Sequence, residues 1–209
     1  VFDSSHLPGK FVYRAPGSKA FTLEILGRAS HSGISPEAGI NAIAITAAAI
    51  SQLKQGRLDP DTTMNIGLIQ GGSAVNVVPE SVKLTGEVRS FKPDRLDEEL
   101  ERVLDTFGTE VFNAGATMRT ETYEDFTPYE LTPDHAAFKL IYQAIQDSGL
   151  DPKPEISFGG SDANSFNGLG IPSVNIGIGA QKPHANDEFV LIDDFIAAAE
   201  YLIKENYTS

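Results

Sequence analysis

Residues 18–126 show a fixed order of hydrophobic patterns, and this order constrains the fold more than any other feature of the chain. Segments in which apolar and polar residues alternate predict strands, whereas apolar residues at every third or fourth position predict helices. The predicted elements are, in order, a strand at 19–26, a helix at 35–53, strands at 63–69 and 81–89, a helix from 93, and a strand at 116–123. This β-α-β-β-α-β order is typical of a ferredoxin-like unit, an antiparallel sheet with two helices on one face.

The two helices of this segment carry start signals in the sequence. Ser35 is predicted to cap the first helix, with Pro36 at its first helical position. Its predicted buried face consists of Ala42, Ile43, Ala47, Ile50 and Leu53. The second helix opens at Pro93, and its apolar residues recur at helical spacing. We expect the dipeptide Glu98-Glu99 to lie on the exposed part of this second helix.

The pattern changes after residue 127, where helices and strands alternate. An α-β-α-β-α order is typical of the closing half of an α/β domain. We therefore expect residues 1–17 and 127–209 to form one α/β domain, with residues 18–126 inserted as a separate domain. The chain begins with Val1 rather than Met and enters in the middle of a pattern, so we expect a fragment of a longer protein.

Composition excludes several classes of function. The formal net charge is −13, with 29 Asp and Glu against 16 Lys and Arg, and such a surface repels nucleic acid. No apolar run approaches the roughly 18 residues of a membrane span, so no membrane partner is expected. The chain has no cysteine, so a metal would have to be held by imidazole and carboxylate groups. A reducing cytosol suits such a chain, and we expect a cytoplasmic protein.

Several polar residues could carry chemistry, and each has an ordinary structural alternative. His184 lies in a loop beyond a buried-type strand, where α/β domains place their ligands, but a loop histidine is more often simply exposed. Asp3 could bind a cation at the end of a short strand, or lie on the surface. His31 stands among Gly and Ser residues that suit either a cleft or a turn. His6 and His135 are interpreted as surface residues.

Three further features allow the same two interpretations. The Gly159-Gly160-Ser161-Asp162 turn joins a strand to a helix, and its backbone N–H groups could hold a carboxylate or phosphate. Arg89 could bind a carboxylate with two parallel hydrogen bonds, or form a cross-strand ion pair. Asn76 could simply cap a turn.

Taken together, the motifs resemble the metallopeptidase M20 family of co-catalytic zinc exopeptidases, and among them the peptidase T-like tripeptidases. The resemblance covers essentially the whole chain. It rests on linked motifs at residues 27–33, 36–42, 71–79, 86–90, 159–164 and 184–188. It implies part of a zinc-exopeptidase-like α/β catalytic domain, with an inserted ferredoxin-like lid or dimerisation domain.

The resemblance also implies roles for the metal and for catalysis. Asp3 and His184 match ligands of different metals in a centre that holds two zinc ions, with cobalt and manganese as alternatives. His31 matches a residue that reaches the active site of a partner subunit and stabilises the oxyanion. A short peptide substrate and a homodimer formed through the lid are therefore the implied partners.

Substrate contacts are implied for the remaining motifs. Asn76 and Arg89 match lid residues that contact substrate, with Arg89 suited to a peptide carboxylate. Gly159, Gly160 and Ser161 match the turn that lines the substrate pocket.

The chain departs from the family pattern in one respect. The family's His-x-Asp motif and Glu-Glu pair, which supply further ligands and the general base, precede the position of Asp3 and are absent here. We therefore expect the 209 residues alone to be inactive, and a metal-free chain is compatible with this, although the parent protein would be an aminopeptidase. A deacylase, dipeptidase or carboxypeptidase of the same family, or a non-catalytic dimerisation module, are the alternatives.

Overall fold

The computed structural model describes residues 1–182 and 185–205. The chain divides into two compact units. The flanking unit contains Val1–Gly17 and the chain from Phe126 onward, and the inserted unit contains Ser18–Asp125. The strands are β1 (Phe2–Ser4), β2 (Lys10–Ala15), β3 (Gly17–Leu26), β4 (Gly56–Asp59), β5 (Thr62–Gly71), β6 (Ser81–Ser90), β7 (Thr117–Phe126), β8 (Tyr129–Glu130), β9 (Lys153–Ile156) and β10 (Asn175–Gly177). The helices are α1 (Ala42–Gln52), α2 (Pro93–Asn113), α3 (Ala136–Asp147), α4 (Asp162–Gly168) and α5 (Ile192–Glu205).

The sheet of the flanking unit is mixed and is built around β2. The strand order is β1-β10-β2-β8, and β9 also pairs with β2. β1 runs parallel to β10, β10 runs antiparallel to β2, and β9 runs parallel to β2. Phe11 of β2 is fully buried, and its ring meets Phe138 of α3 edge-on, with 5.1 Å between the ring centroids. The same core contains Ile176 of β10, and Phe2 of β1 packs against it.

The sheet of the inserted unit has the order β4-β5-β6-β3-β7. The predicted strand at 81–89 is confirmed as β6, and its alternating residues Val82, Leu84 and Val88 are each at most 2% exposed. Side chains of α2 complete this core with Leu96, Val103, Phe107 and Val111. The predicted mixed α/β fold with an inserted sheet-and-helix unit is therefore confirmed.

The predicted start of α1 is wrong. Pro36–Ala38 forms a separate turn of 3-10 helix, and Ser35 makes no capping hydrogen bond with its side chain. The N-cap of α1 is Asn41, whose Oδ1 accepts a hydrogen bond from the backbone N–H of Ala44 at 3.0 Å. Gly39 between the two helices is extended, so the chain straightens before α1 begins.

The predicted buried face of α1 is right in part: Ala42 and Leu53 are buried and Ile50 packs partly buried against the core, but Ala47 is exposed. The buried residues are Ala42, Ile45, Thr46 and Ala49, whereas Ile43 is 44% exposed. The sequence of this helix is rich in alanine, which is similarly tolerated on buried and exposed faces, so its periodicity gives little information about orientation. The exposed Ile43 lines a groove together with Ile69 of β5.

Strand β4 was not predicted from the sequence. Gly56 opens this strand with a positive φ of 81°. β4 pairs with the beginning of β5, where Gly56 lies opposite Met64 and Asp59 lies opposite Thr62. Four residues of mixed polarity carry no clear alternation, which explains why the pattern did not predict it.

Glu99 is buried, so the prediction that it lies on the exposed part of α2 is wrong. Its side chain is 8% exposed and accepts hydrogen bonds from Arg95 and Arg102, each at 2.7 Å. Glu98 is exposed as predicted, with 60% of its side chain accessible. Two arginines thus compensate the burial of one carboxylate.

Among the described residues, no helix is both long enough and apolar enough to cross a membrane.

Candidate functional site

A pocket of about 270 Å³ opens in the flanking unit at the edge formed by β1 and β10. It brings together residues that are far apart in the sequence, and its lining combines carboxylate, imidazole, hydroxyl and amide groups. The lining residues are Asp3, Ser4, Ser5, His6, Val12, Ser157, Gly160, Asn175, Ala180 and Glu188. We call this cavity the β1–β10 pocket.

The parallel pairing of β1 with β10 positions Asp3 in the pocket. Phe2 lies opposite Ile176, and Ser4 lies opposite Gly177. The backbone N–H of Asp3 donates a hydrogen bond to Oδ1 of Asn175 at 3.1 Å. Side chains alternate along a strand, so Asp3 is exposed between the buried Ser4 and the partly buried Phe2. Its carboxylate therefore lies on the accessible side of β1.

His6 also lines the pocket, and the sequence interpretation of it as an ordinary surface residue missed this position. Its Nδ1 lies 2.6 Å from Oγ of Ser4, and its backbone N–H donates to the same oxygen at 3.2 Å. Ser4 itself is only 6% exposed. The imidazole is therefore anchored to a buried hydroxyl rather than projecting freely from a loop.

One residue of the Gly159-Gly160-Ser161 turn contributes to the pocket wall. Gly160 lines it, and a Cβ at this position would lie 2.3 Å from the ring of Phe126, so a side chain cannot be accommodated without displacement. Ser161 is the N-cap of α4, and its backbone N–H donates to Oδ1 of Asn164 at 3.0 Å. Ser157 fixes Gly159, since its Oγ donates to the glycine carbonyl at 2.9 Å and accepts from the glycine N–H at 3.0 Å.

Acidic groups dominate the charge around the pocket. Asp3 and Glu188 line it directly. Glu155 lies on the neighbouring strand β9 and is paired with Lys10 at 2.7 Å. The hydrogen bond from Lys10 lowers the pKa of the Glu155 carboxyl below its usual range against the opposing effect of burial, and the charges of Lys10, His6 and Lys153 add to this lowering.

In the inserted unit, the structure brings His31 and Asn76 together. The backbone N–H of Ser32 donates to the carbonyl oxygen of Asn76 at 3.0 Å, and His31 forms an antiparallel bridge with Val77. Nδ1 of His31 accepts a hydrogen bond from the N–H of Gly33 at 3.1 Å, which leaves Nε2 for a ligand. Both side chains are exposed. These two candidates therefore share one face of the unit.

Arg89 lies apart from His31 and Asn76 within the inserted unit. It is near the end of β6, whereas Asn76 precedes the start of this strand, and Ser81 to Arg89 spans about 26 Å at ~3.3 Å per residue. Its guanidinium donates two hydrogen bonds to the carboxylate of Glu87, at 3.1 and 2.9 Å. Of the two alternatives raised by the sequence, an ion pair is formed, and its partner Glu87 lies two residues earlier on the same strand.

His184, the second implied metal ligand, lies outside the described residues. Among the residues that the structure does describe, no group of three or more His, Asp or Glu side chains converges as a metal site. The β1–β10 pocket therefore provides a partial donor set, with Asp3 and Glu188 as its carboxylates.

The architecture defines a class of protein. It consists of an α/β unit that carries an acidic pocket and of a second unit, one sheet with two helices, that is inserted into the sequence of the first. Residues 13–113 match the family model described as the peptidase dimerisation domain of the M20 family. The chain is 30% identical to the protein YqjE of Bacillus subtilis over 203 residues, which are 97% of this chain and 55% of that protein. We therefore assign residues 13–113 to the M20 peptidase dimerisation domain, in agreement with the resemblance of the sequence to that family.

Solved structures agree with this placement. The aminopeptidase PepT from Bacillus cereus is 29% identical, with a TM-score of 0.90, and the match covers 98% of this chain and 55% of that one. A tripeptidase from Staphylococcus aureus is 32% identical, with a TM-score of 0.91, over 98% of this chain and 54% of that one. The YXEP protein of Bacillus subtilis, described as a dinuclear metal-binding peptidase, shares the fold at 19% identity and a TM-score of 0.73. The chain thus spans about half the length of the relatives it matches.

Proposed function

We propose that the chain is part of a metal-dependent exopeptidase that hydrolyses short peptides. The observation that carries this proposal is the β1–β10 pocket, which Asp3 and Glu188 both line. The chain that forms this pocket superposes on a tripeptidase with a TM-score of 0.91. Carboxylates at the edge of an α/β sheet can hold a divalent cation and position a substrate beside it. The aminopeptidase and tripeptidase names of the similar structures favour peptides as the substrate class.

The donor chemistry of the pocket fits a divalent metal in part. Asp3 is exposed to the pocket, and carboxylate together with imidazole is a donor set that zinc accepts. We propose that Asp3 and His184 each hold one of two zinc ions. The remaining ligands and the general base would come from residues outside this chain, so the 209 residues alone would be inactive. The metals, when bound, would activate a water molecule as the nucleophile.

The other candidates then have separable roles in binding and catalysis. His31 offers Nε2, and we propose that it donates a hydrogen bond to the oxyanion in the site of a second copy of the chain. Asn76 lies beside it and would contact the substrate. Arg89 would bind the peptide carboxylate by exchanging its two hydrogen bonds with Glu87 for two with the substrate. Gly160 and its neighbours Gly159 and Ser161 would form the wall beside the peptide backbone.

We propose a homodimer formed through the inserted unit. The pairing of β4 with β5 extends no further along β5 than Met64, so the edge of β5 from Asn65 to Gly71 continues beyond that partner. Leu68 and Ile69 on this stretch are 70% and 60% exposed, and Ile43 of α1 lies across a groove of about 460 Å³. An exposed apolar strand edge is a template for pairing with a second copy.

The dimer is tested by sedimentation equilibrium of the 209-residue chain. We expect a dimer, and we expect the double variant Leu68→Glu with Ile69→Lys to be monomeric because it places charges on the pairing edge. Phe112→Glu, which changes an 84% exposed apolar residue at the end of α2, is the matched control and should leave the dimer intact. A strictly monomeric parent chain at high concentration would refute the dimer.

The peptidase proposal is tested with tripeptides and N-acyl amino acids as competing substrates. If the coding sequence continues upstream of Val1, we expect the longer product to release the N-terminal residue from trialanine in a zinc-dependent reaction. Asp3→Asn and His184→Asn should each reduce this rate by at least 100-fold. Preferential hydrolysis of N-acyl amino acids would assign the deacylase alternative instead. Full activity of the Asp3→Asn variant would exclude the proposed centre.

A further inference from the structure

We propose that His6 is a substrate-binding residue of the β1–β10 pocket, where its Nε2–H donates a hydrogen bond to a carbonyl or carboxylate oxygen of a short peptide. This inference rests on the proposed function for its choice of ligand, because a peptide is the substrate that the pocket would take. Its structural basis is independent of that function. It consists of the position of His6 in the pocket, the hydrogen bonds of Ser4, and the packing of the loop between β1 and β2.

The loop holds His6 in one position. The backbone N–H of Gly179 donates to the carbonyl oxygen of His6 at 2.8 Å, and the N–H of Ile178 donates to that of Ser4 at 3.0 Å. Gly177 allows this close approach, since a Cβ at that position would lie 2.6 Å from the His6 carbonyl oxygen. The backbone of His6 is therefore fixed against β10, and its ring needs little ordering when a ligand binds.

The hydroxyl of Ser4 determines which ring nitrogen carries the proton. Its Oγ already accepts the backbone N–H of His6 at 3.2 Å, and it lies 2.6 Å from Nδ1 of the same residue. Because Ser4 is buried, its hydroxyl proton needs an acceptor, and Nδ1 is the acceptor within reach. Ser4 therefore donates to Nδ1, and the neutral ring carries its proton on Nε2.

The Nε2–H group complements the two carboxylates of the pocket. Asp3 and Glu188 accept hydrogen bonds or bind cations, but in their ionised form they cannot donate to a peptide oxygen. Ser157, which also lines the pocket, is already engaged with Gly159 through both its donor and its acceptor. His6 therefore adds a donor to an otherwise acidic cavity, which is what a carbonyl or carboxylate oxygen requires.

The tautomer is tested first, on the unmodified 209-residue chain without substrate. Two-bond ¹H–¹⁵N correlation spectra at pH 8 should show His6 as the Nε2–H form, with the signals assigned by their loss in His6→Asn. In Ser4→Ala we expect the Nδ1–H form to gain population, because the hydroxyl donor is gone. A dominant Nδ1–H form in the unmodified chain would overturn the proposal.

Binding is tested with trialanine and trialanine amide, monitored through the same ring signals. We expect the His6 resonances to shift with both peptides if the contact is to a carbonyl oxygen, and with trialanine alone if it is to the carboxylate. His6→Asn should weaken trialanine binding about three- to ten-fold, because it removes the Nε2 donor. His6→Gln places an amide N–H near the position of Nε2 and should retain most of the affinity.

His135→Asn is the matched control, because His135 caps α3 and accepts from the N–H of Ala137, a function that asparagine can also perform. It should leave trialanine binding unchanged. Absence of any His6 shift with either peptide, or equal affinity of His6→Asn and the unmodified chain, would refute the proposal. Because no turnover is measured, peptide binding through His6 can be observed even if the metallopeptidase proposal fails in its own assay.

Discussion

The side-chain amide of Asn164 donates a hydrogen bond to the carbonyl oxygen of Thr127 at 2.9 Å, and a second one to the carbonyl oxygen of Pro16 at 2.9 Å. Its Oδ1 accepts from the N–H of Ser161, and the residue is completely buried. In the sequence, Pro16 lies two residues before the inserted unit and Thr127 lies two residues after it. One buried amide therefore joins both passages of the chain to the turn that carries Gly160.

We expect Asn164→Ala to lower the free energy of unfolding of the flanking unit by about 2–4 kcal/mol, because one buried and two partly buried backbone groups lose their partner. Urea denaturation monitored by circular dichroism measures this loss. Ser165→Ala, at the next and exposed position of α4, is the control and should change stability by less than about 0.5 kcal/mol. Equal stability of the two variants would show that the amide has no such role.

The adjacent glycines Gly159 and Gly160 should differ in how much stability an alanine substitution costs. A Cβ at Gly160 would lie 2.3 Å from the Phe126 ring, so we expect Gly160→Ala to cost about 1–3 kcal/mol through overpacking. At Gly159 the nearest atom would be Oγ of Ser157 at 3.7 Å, an ordinary contact, so Gly159→Ala should be nearly neutral. Thermal unfolding of both variants provides the comparison. A loss of stability in Gly159→Ala alone would contradict the described packing of the turn.

Glu99 and Glu98 form a second matched pair, in the inserted unit. Glu99 is buried between Arg95 and Arg102, so Glu99→Gln should lower the free energy of unfolding by about 1–3 kcal/mol. Glu98 also pairs with Arg95 but is exposed, and Glu98→Gln should cost less than about 1 kcal/mol. Guanidinium denaturation of the two variants measures the difference. If Glu98→Gln were the more damaging substitution, the arginine cluster would depend on exposed rather than buried charge.

The sequence predicted the fold where burial follows a clear period. In β6, Val82, Leu84 and Val88 alternate with polar residues, and all three are buried. In α2, Val103 and Phe107 recur at helical spacing and are also buried. The prediction was right only in part in α1, where five of the 11 residues are alanine and the apolar side chains do not distinguish one face from another.

The candidate site was predictable only in part, because tertiary pairing assembles it. Asp3 was identified through the resemblance, but its neighbour Asn175 is 172 residues away in the sequence, and no local pattern joins them. His6 was missed for the same reason, since a loop histidine has no periodicity and its anchor Ser4 becomes buried only when β1 pairs with β10. The pair of Arg89 with Glu87 was detectable, because residues two apart on a strand share a face.

The ion pair between Glu155 and Lys10 makes the stability of the flanking unit depend on pH. Lys10, through its hydrogen bond and its charge, lowers the pKa of the Glu155 carboxyl in the folded chain. A carboxyl whose pKa is lower in the folded state stabilises that state above its unfolded pKa of about 4.3, and this contribution is lost as the pH falls through the folded value. We therefore expect Glu155→Gln to lose less stability than the parent chain between pH 6 and pH 3.

Urea denaturation at both pH values measures this difference for the parent chain, Glu155→Gln, Lys10→Met and the double variant. Because the hydrogen bond from Lys10 is the largest cause of the lowered pKa, Glu155→Gln should have a much smaller pH-dependent effect in the Lys10→Met background. An effect of the same size in both backgrounds would show that other charges near β9 determine the titration of Glu155. Added salt should weaken the coupling, because both side chains are about one-third exposed and the pair is therefore screened.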